Sequence, residues 1–146
     1  MKTCALCQAT AKLCQSHIIP EFCYKPIYDA KHRAVVVNPR DPSDQRYAQK
    51  GVRSELLCQR CEGLINDRYE KPFKAYWYDG DALAPYRAGE EVGYLINIDY
   101  SSFKLFHLSV LFRASVSDHP NFREVDLGPH EDRIRQMLLN QDPGEE

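Results

Sequence analysis

Two pairs of cysteines, each pair separated by two residues, are the part of this sequence best suited to chemistry. They are Cys4 and Cys7, and Cys58 and Cys61. A Cys-x-x-Cys turn brings two sulfurs to one ion, and tetrahedral Zn²⁺ accepts two such pairs at about 2.3 Å from each sulfur. A reducing cytosol disfavours structural disulfides and uses cysteine pairs for metal or redox work. The spacing therefore predicts a structural zinc ion bound by four thiolates.

Two alternatives for the cysteines stay open in the sequence. A thiol-redox protein needs a single Cys-x-x-Cys at the start of a helix, and a measurement of metal content separates it from a zinc protein. Cys14 and His17 also have the spacing of metal ligands, which would make His17 an additional or substitute ligand. Without that role, Cys14 and Cys23 are expected to be small buried apolar residues.

Length and composition exclude several classes of protein. The chain has 146 residues, 27% of them charged, and a net charge of −2, so it is neither disordered nor fibrous nor a polycation. It begins without the apolar run of a signal peptide, and its most apolar stretch, residues 103–112, is interrupted by Lys104 and His107. We expect a cytoplasmic protein without a membrane partner.

Charge is divided unevenly along the chain. Residues 1–75 hold 13 Lys and Arg against 8 Asp and Glu, whereas residues 76–146 hold 6 against 13. A basic face in the cysteine half is what a phosphate-binding surface requires, although scattered solvated charges give the same count. This asymmetry favours nucleic acid as a partner of the N-terminal half. The acidic C-terminal half suits a protein partner.

The surrounding pattern predicts the elements that position these residues. Residues 12–19 read as an extended segment that ends at Pro20, with His17 near its end. The segment 21–29 predicts a short helix, 34–37 a strand, and the polar stretch from Asn38 a loop. Apolar residues at a period of 3.6 predict a helix from residue 59 to 77, beginning at the second cysteine pair and bent at Pro72.

The acidic half has its own pattern. Residues 79–89 are predicted to form a hinge, 92–98 a strand, and 100–117 a helix whose inner face carries Phe103, Phe106, Val110 and Leu111. A last helix follows Gly128 and Pro129, with Ile134, Met137 and Leu138 pointing inward. The predicted fold class is therefore α+β, with a zinc-binding domain at 1–78 and an acidic extension, one strand plus two helices, at 79–146.

Three motifs carry a resemblance to a known family. CALC at residue 4, SHIIP at residue 16 and LLCQRCE at residue 56 resemble the HNH endonuclease pattern of a cysteine pair, a strand with a histidine, and a second cysteine pair. The resemblance covers Cys4 to about Lys74. The chain is also similar to a group of uncharacterised bacterial proteins that contain SHIIP and LLCxxCE. The resemblance implies a ββα-metal, treble-clef-like fold with structural zinc and a hydrolytic site for phosphodiesters.

The resemblance also implies roles for single residues. It makes His17 the general base that activates water for attack on phosphorus. This chain departs from the family at three positions: Ser16 stands where an acidic or histidine ligand is usual, Arg53 where an asparagine orients the base, and Glu62 where a histidine follows the second cysteine pair.

These departures leave two functions open. In the first, the chain is a metal-dependent endonuclease that acts on DNA. Glu62, together with Asn66 or Asp67 one helical turn further on, holds its catalytic Mg²⁺ or Mn²⁺, and Arg53 neutralises the scissile phosphate. In the second, the catalytic centre has decayed. The chain is then a zinc module that binds protein or nucleic acid, and His17 is packed or hydrogen-bonded.

Overall fold

A computed structural model of the chain describes residues 1–38, 41–79 and 98–145. Within these residues helices and strands are mixed, which confirms the predicted α+β class. The strands are β1 (Lys2–Thr3), β2 (Thr10–Ala11), β3 (Leu13–His17), β4 (Ala34–Asn38), β5 (Asp41–Ala48) and β6 (Arg53–Cys58). The helices are α1 (Glu21–Tyr24), α2 (Gln59–Ile65), α3 (Lys71–Trp77), α4 (Tyr100–Ser115) and α5 (Glu131–Asn140).

Strands β3 and β6 form an antiparallel pair that leads directly into a helix. Leu13 lies opposite Cys58 at one end of the pair, and His17 lies opposite Arg53 at the other. The helix begins at residue 59 and runs to Trp77 through a π-helical turn, Asn66–Glu70, that joins α2 to α3. Pro72 explains the turn, because proline has no N–H to continue the regular ladder. The predicted helix from residue 59 to 77 is therefore confirmed, with its irregularity just before Pro72.

The predicted loop after Asn38 is wrong over most of its length. Residues 41–48 form β5, which pairs antiparallel with β4, so that Val35 lies opposite Tyr47 and Val36 opposite Arg46. Polar residues such as those of β5 have a low intrinsic preference for strands. Pairing with the β-branched run of β4 supplies the cross-strand contacts that override this preference.

One hydrophobic cluster contains residues from both halves of the chain. Leu57, Tyr69 and Phe73 join it from the first half, and Phe106 and Leu138 from the second. The rings of Phe73 and Phe106 are stacked, with their centroids 3.7 Å apart. Helices α4 and α5 therefore pack against the helix that follows the second cysteine pair.

The inner face of α4 differs from the prediction at one position. Phe106 is buried as expected, but Leu111 is 45% exposed, and the next residue, Phe112, is buried in its place. The helix also buries Arg113, which the apolar pattern did not indicate. In α5 the predicted inward residues Ile134 and Leu138 are buried.

The division of the chain at residue 78 stays a prediction. The predicted hinge at 79–89 and the predicted strand at 92–98 lie almost wholly outside the described residues. Among the helices that the structure does describe, none has the length and apolar character needed to cross a lipid bilayer.

Candidate functional site

The four predicted cysteines form one cluster. The sulfur atoms of Cys4, Cys7, Cys58 and Cys61 all lie within 4.8 Å of one another. The sulfurs of Cys7 and Cys58 are 3.8 Å apart. Two ligands bound 2.3 Å from a tetrahedral ion are separated by about 3.8 Å, so the cluster fits a structural metal ion such as zinc.

Local backbone contacts hold the two cysteine pairs together. The first pair lies on a turn between β1 and β2, which is closed by hydrogen bonds from the Cys4 N–H to the Ala9 carbonyl and from the Gln8 N–H to the Cys4 carbonyl, both 2.9 Å. The N–H of Ala5 donates to the carbonyl of Leu56, also at 2.9 Å, and so joins this turn to β6. The second pair is placed by the end of β6 and the first turn of α2.

The thiols of the cluster differ in acidity. Burial raises the pKa of Cys61 far above that of an ordinary thiol. Burial also opposes ionisation of Cys7, but the Ala9 N–H and the neighbouring thiols outweigh it and lower the pKa of Cys7 to about 6. A metal ion at the cluster must therefore displace protons from buried sulfurs, and Cys7 gives up its proton more readily than Cys61.

The remaining cysteines lie outside the cluster. Of the His, Cys, Asp and Glu residues that the structure describes, only the four clustered cysteines bring three or more ligand atoms within 4.8 Å of one another. Cys14 and His17 are not among them. The sulfur of Cys14 lies 3.6 Å from Oε1 of Gln59, and burial raises the pKa of Cys23 to about 11. Neither cysteine has the surroundings of a metal ligand.

A second candidate site is an open cleft of about 540 Å³ beside the helix that follows the second cysteine pair. It brings together three residues that the sequence singled out, His17, Glu62 and Asn66. Asp67 does not line it. The other ionisable residues at its wall are Glu21, Lys25, Glu70, Lys71 and Lys74. The cleft thus combines oxygen and nitrogen atoms of the kind that bind metal ions with three lysine side chains.

His17 lies between a cation and a carboxylate. Nε of Arg53 donates a hydrogen bond of 3.0 Å to Nε2 of His17. Oε2 of Glu21 is 2.9 Å from the same nitrogen. Burial, and then the positive charge of Arg53, lower the pKa of His17, and they outweigh the opposing effect of Glu21. The imidazole is therefore neutral at pH 7, which is the form that a general base needs.

Glu62 is oriented by the side chain of Ser16. The hydroxyl of Ser16 is fully buried and donates a hydrogen bond of 2.6 Å to Oε2 of Glu62. Asn66 lies one turn further along the helix and donates from Nδ2 to Oδ1 of Asp67 at 3.3 Å. Asp67 itself pairs with Lys71 at 2.6 Å. Of the two predicted partners for Glu62, Asn66 is the one that faces the cleft.

Three further residues of the site were missed in the sequence. Glu21 follows His17 by four positions, directly after Pro20, and this spacing was a usable signal. Glu70 lies in the π-helical turn and pairs through Oε1 with Nη1 of Arg113 at 2.6 Å. Arg113 lies in an apolar stretch of α4, so nothing in the local pattern linked it to the site.

Comparisons of the chain with protein-family models, with curated proteins and with solved structures find no match.

Proposed function

We propose that the protein is a metal-dependent endonuclease of the HNH type that hydrolyses phosphodiester bonds in DNA. One observation carries the proposal: His17, Glu62 and Asn66 line one open cleft on an antiparallel strand pair followed by a helix. This is the order of elements that the ββα-metal fold requires. Zinc at the four cysteines would fix the start of that helix, since Cys58 ends β6 and Cys61 lies in the first turn of α2.

The residues of the cleft have complementary roles in this proposal. His17 accepts a proton from the water that attacks phosphorus, a step for which a general base typically contributes about 10² to 10⁴-fold. Arg53 does not line the cleft itself but contacts His17, and it neutralises a phosphate oxygen. Mg²⁺ or Mn²⁺, which prefer oxygen ligands such as those of Glu62 and Asn66, would stabilise the charge on the phosphate and the leaving oxygen.

The cationic side chains at the cleft support a nucleic-acid substrate. Lys25, Lys71 and Lys74 lie along its wall. Lysines at such positions attract the phosphate backbone without reading sequence. The acidic half of the chain, residues 79–146, is proposed as the surface for a protein partner.

A zinc-binding module without catalysis is the second candidate. It is favoured by the hydrogen bond between Arg53 and Nε2 of His17, which occupies one of the two nitrogens of the ring. In that case the cysteine cluster supports a binding surface, and His17 serves only to pair with Arg53 and Glu21.

A nuclease assay on the zinc-loaded protein tests the proposal. Plasmid DNA is incubated with Mg²⁺, with Mn²⁺ and with EDTA, using the wild type, His17→Ala and His130→Ala. We expect cleavage that depends on the divalent ion, is reduced about 10² to 10⁴-fold in His17→Ala, and is unchanged in the control variant of exposed His130.

Three results would contradict parts of this proposal. Absence of cleavage with either ion would leave the zinc-binding module as the function. Equal cleavage by His17→Ala would show that His17 is not the base. Release of zinc from His17→Ala would make it a structural ligand.

A further inference from the structure

The two carboxylate oxygens of Glu21 have different surroundings. Oε1 accepts a hydrogen bond of 2.9 Å from the hydroxyl of Tyr28 and lies 3.5 Å from Nε2 of His32. Oε2 is buried and has no hydrogen-bond donor among the described residues, although Nε2 of His17 is only 2.9 Å away. Buried polar atoms in native proteins nearly always have a partner. Because Oε2 of Glu21 lacks a donor in the described part of the chain, it points to a second arrangement of His17 in which the ring donates a hydrogen bond to this oxygen.

Arg53 and Glu21 make opposing demands on one nitrogen. The Nε–H of Arg53 is a donor, so Nε2 of His17 must accept, and the proton of the neutral ring is then on Nδ1. Oε2 of Glu21 can only accept, so it needs a proton on Nε2. One imidazole nitrogen cannot meet both demands at once. The choice between the two tautomers of His17 thus depends on where Arg53 is.

We propose that Glu21 is the positioning residue of His17 and that a bound phosphate selects the tautomer. When Arg53 turns to the phosphate, the proton of the neutral ring moves from Nδ1 to Nε2 through solvent, with no net gain or loss. Nε2–H then donates to Oε2 of Glu21, and Nδ1 becomes the basic nitrogen. The catalytic meaning of this change rests on the proposed function, whereas the change of tautomer does not.

The position of Glu21 suits this role. It is the first residue of α1, between Pro20, which is fully buried, and Phe22, which lies in the core. The hydrogen bond from Tyr28 fixes its other oxygen. Burial opposes its negative charge, but the hydrogen bond from Tyr28 and the nearby ring of His17 outweigh burial and lower the pKa of Glu21. The side chain is therefore a fixed carboxylate, the group that best orients an imidazole and stabilises its protonated form.

The other charges near His17 do not compete for its ring. Arg113 binds its backbone carbonyl at 2.8 Å, and Glu70 is paired with Arg113. Arg53 from β6 and Glu21 from α1 are the charged residues in contact with the ring nitrogen. A change in Arg53 or Glu21 should therefore change the tautomer of His17 without changing the ion pair between Arg113 and Glu70.

The tautomer can be observed directly by NMR. The full-length, zinc-loaded protein is labelled with ¹⁵N in its five histidines, and His17 is assigned by its loss in His17→Asn. Long-range proton–nitrogen spectra at pH 8 then show which nitrogen carries the proton. We expect Nδ1–H in the wild type. In Arg53→Met we expect Nε2–H together with a raised pKa of His17.

A second variant isolates the contribution of Glu21. In Arg53→Met/Glu21→Ala we expect most of the rise in the pKa of His17 to disappear, because the carboxylate that stabilises the protonated ring is gone. Arg53→Met/Glu55→Ala is the matched control, because it removes an exposed carboxylate of β6 that pairs with Lys2 and not with His17, and it should keep both Nε2–H and the raised pKa. If Arg53→Met does not fold, inorganic phosphate added to the wild type should produce the same change from Nδ1–H to Nε2–H.

The outcomes separate this inference from the proposed function. If His17 keeps Nδ1–H when Arg53 is removed, or if the Glu21→Ala double variant behaves like Arg53→Met, Glu21 does not position the ring. If the tautomer responds as expected while the wild type cleaves no DNA, the pairing with Glu21 holds and the nuclease proposal fails.

Discussion

Nη1 of Arg113 donates a hydrogen bond of 2.8 Å to the backbone carbonyl of His17, a residue 96 positions earlier in the chain. The same nitrogen pairs with Oε1 of Glu70 at 2.6 Å, and Nε donates to the carbonyl of Ser109. Arg113 is 1% exposed, so these bonds are formed away from water. Helix α4 thereby supports the end of β3, the strand that carries His17.

Arg113→Met should strongly destabilise the fold. The substitution removes the buried hydrogen-bond donor of both the Glu70 carboxylate and the His17 carbonyl. Breaking a buried ion pair by removing one partner costs about 3 to 5 kcal/mol. Urea unfolding of the zinc-loaded protein measures the loss as a lower midpoint.

The double variant Arg113→Met/Glu70→Gln provides the control for that prediction. It removes both charges, so much of the loss should be recovered. If Arg113→Met alone leaves the midpoint unchanged, the arginine is not a support for the β3 strand.

The four clustered cysteines and the elements around them could be predicted from the sequence because their signals are local. Two Cys-x-x-Cys turns specify four ligands, the proline at position 20 ends a strand, and a period of 3.6 marks the helix from residue 59. Each of these needs only neighbours in the chain. The fold had merely to bring the two turns together, as the hydrogen bond between Ala5 and Leu56 does.

The parts that were missed depend on distant partners. Arg113 is buried because a carboxylate from the π-helical turn and a carbonyl from β3 meet it, and no periodic pattern contains that information. Residues 41–48 form a strand because they pair with the backbone of β4. Glu21 is the exception, because it lies only four residues after His17, and that spacing could have linked the two residues.

Replacing one clustered cysteine should unfold the domain. The purified protein should carry about one zinc ion per chain, because an unfolded chain has no preformed site and the metal adds directly to folding. Cys58→Ser should lose the ion and its far-UV circular dichroism signal. Elemental analysis and circular dichroism on the same sample check both.

Cys14→Ser and Cys23→Ser are matched controls for the zinc prediction. Both residues lie outside the cluster, so each variant should keep the ion and lose little stability. A folded, metal-free wild type, or a disulfide between Cys58 and Cys61, would refute the structural metal.

Ser16→Ala should weaken the binding of Mn²⁺ without unfolding the protein. The hydroxyl of Ser16 orients Glu62 through a bond of 2.6 Å. Loss of a group that orients a metal ligand typically costs about 10 to 100-fold in affinity. Titration of Mn²⁺ into the zinc-loaded protein, followed by electron paramagnetic resonance, measures the effect.

Ser54→Ala is the control for this variant. Ser54 lies opposite Ser16 in the β3–β6 pair and is also buried, but its hydroxyl contacts Ser117 at 3.0 Å instead of the cleft. It should leave Mn²⁺ binding intact. Equal affinities for Ser16→Ala and wild type would mean that Glu62 does not hold the ion.

Lowering the pH should destabilise the protein through His17. Burial, and then Arg53, hold the pKa of His17 below its ordinary value of 6.5. Between that lowered value and 6.5 the unfolded chain binds more protons than the folded one, so stability falls as the pH falls through this window. Above 6.5 the contribution is fully present.

His17→Gln should therefore show a weaker pH dependence than the wild type. Urea midpoints at pH 5.5 and 7.5 are compared for both proteins, each loaded with zinc, so that protonation of the cysteine cluster affects them alike. If the urea midpoint changes equally between pH 5.5 and 7.5 in the wild type and in His17→Gln, His17 is not the group that titrates.

Lys25→Ala should reduce the salt dependence of DNA binding. Lys25 lines the cleft, and each phosphate contact that is lost removes about 0.9 from the slope of log affinity against log salt. Lys2 is the control, because it lies on β1 and is paired with Glu55 away from the cleft. Fluorescence anisotropy with a labelled duplex at several salt concentrations, in EDTA to prevent cleavage, gives the slopes. If Lys25→Ala and Lys2→Ala both keep the wild-type slope, Lys25 does not contact the phosphate backbone, and DNA must bind at another surface.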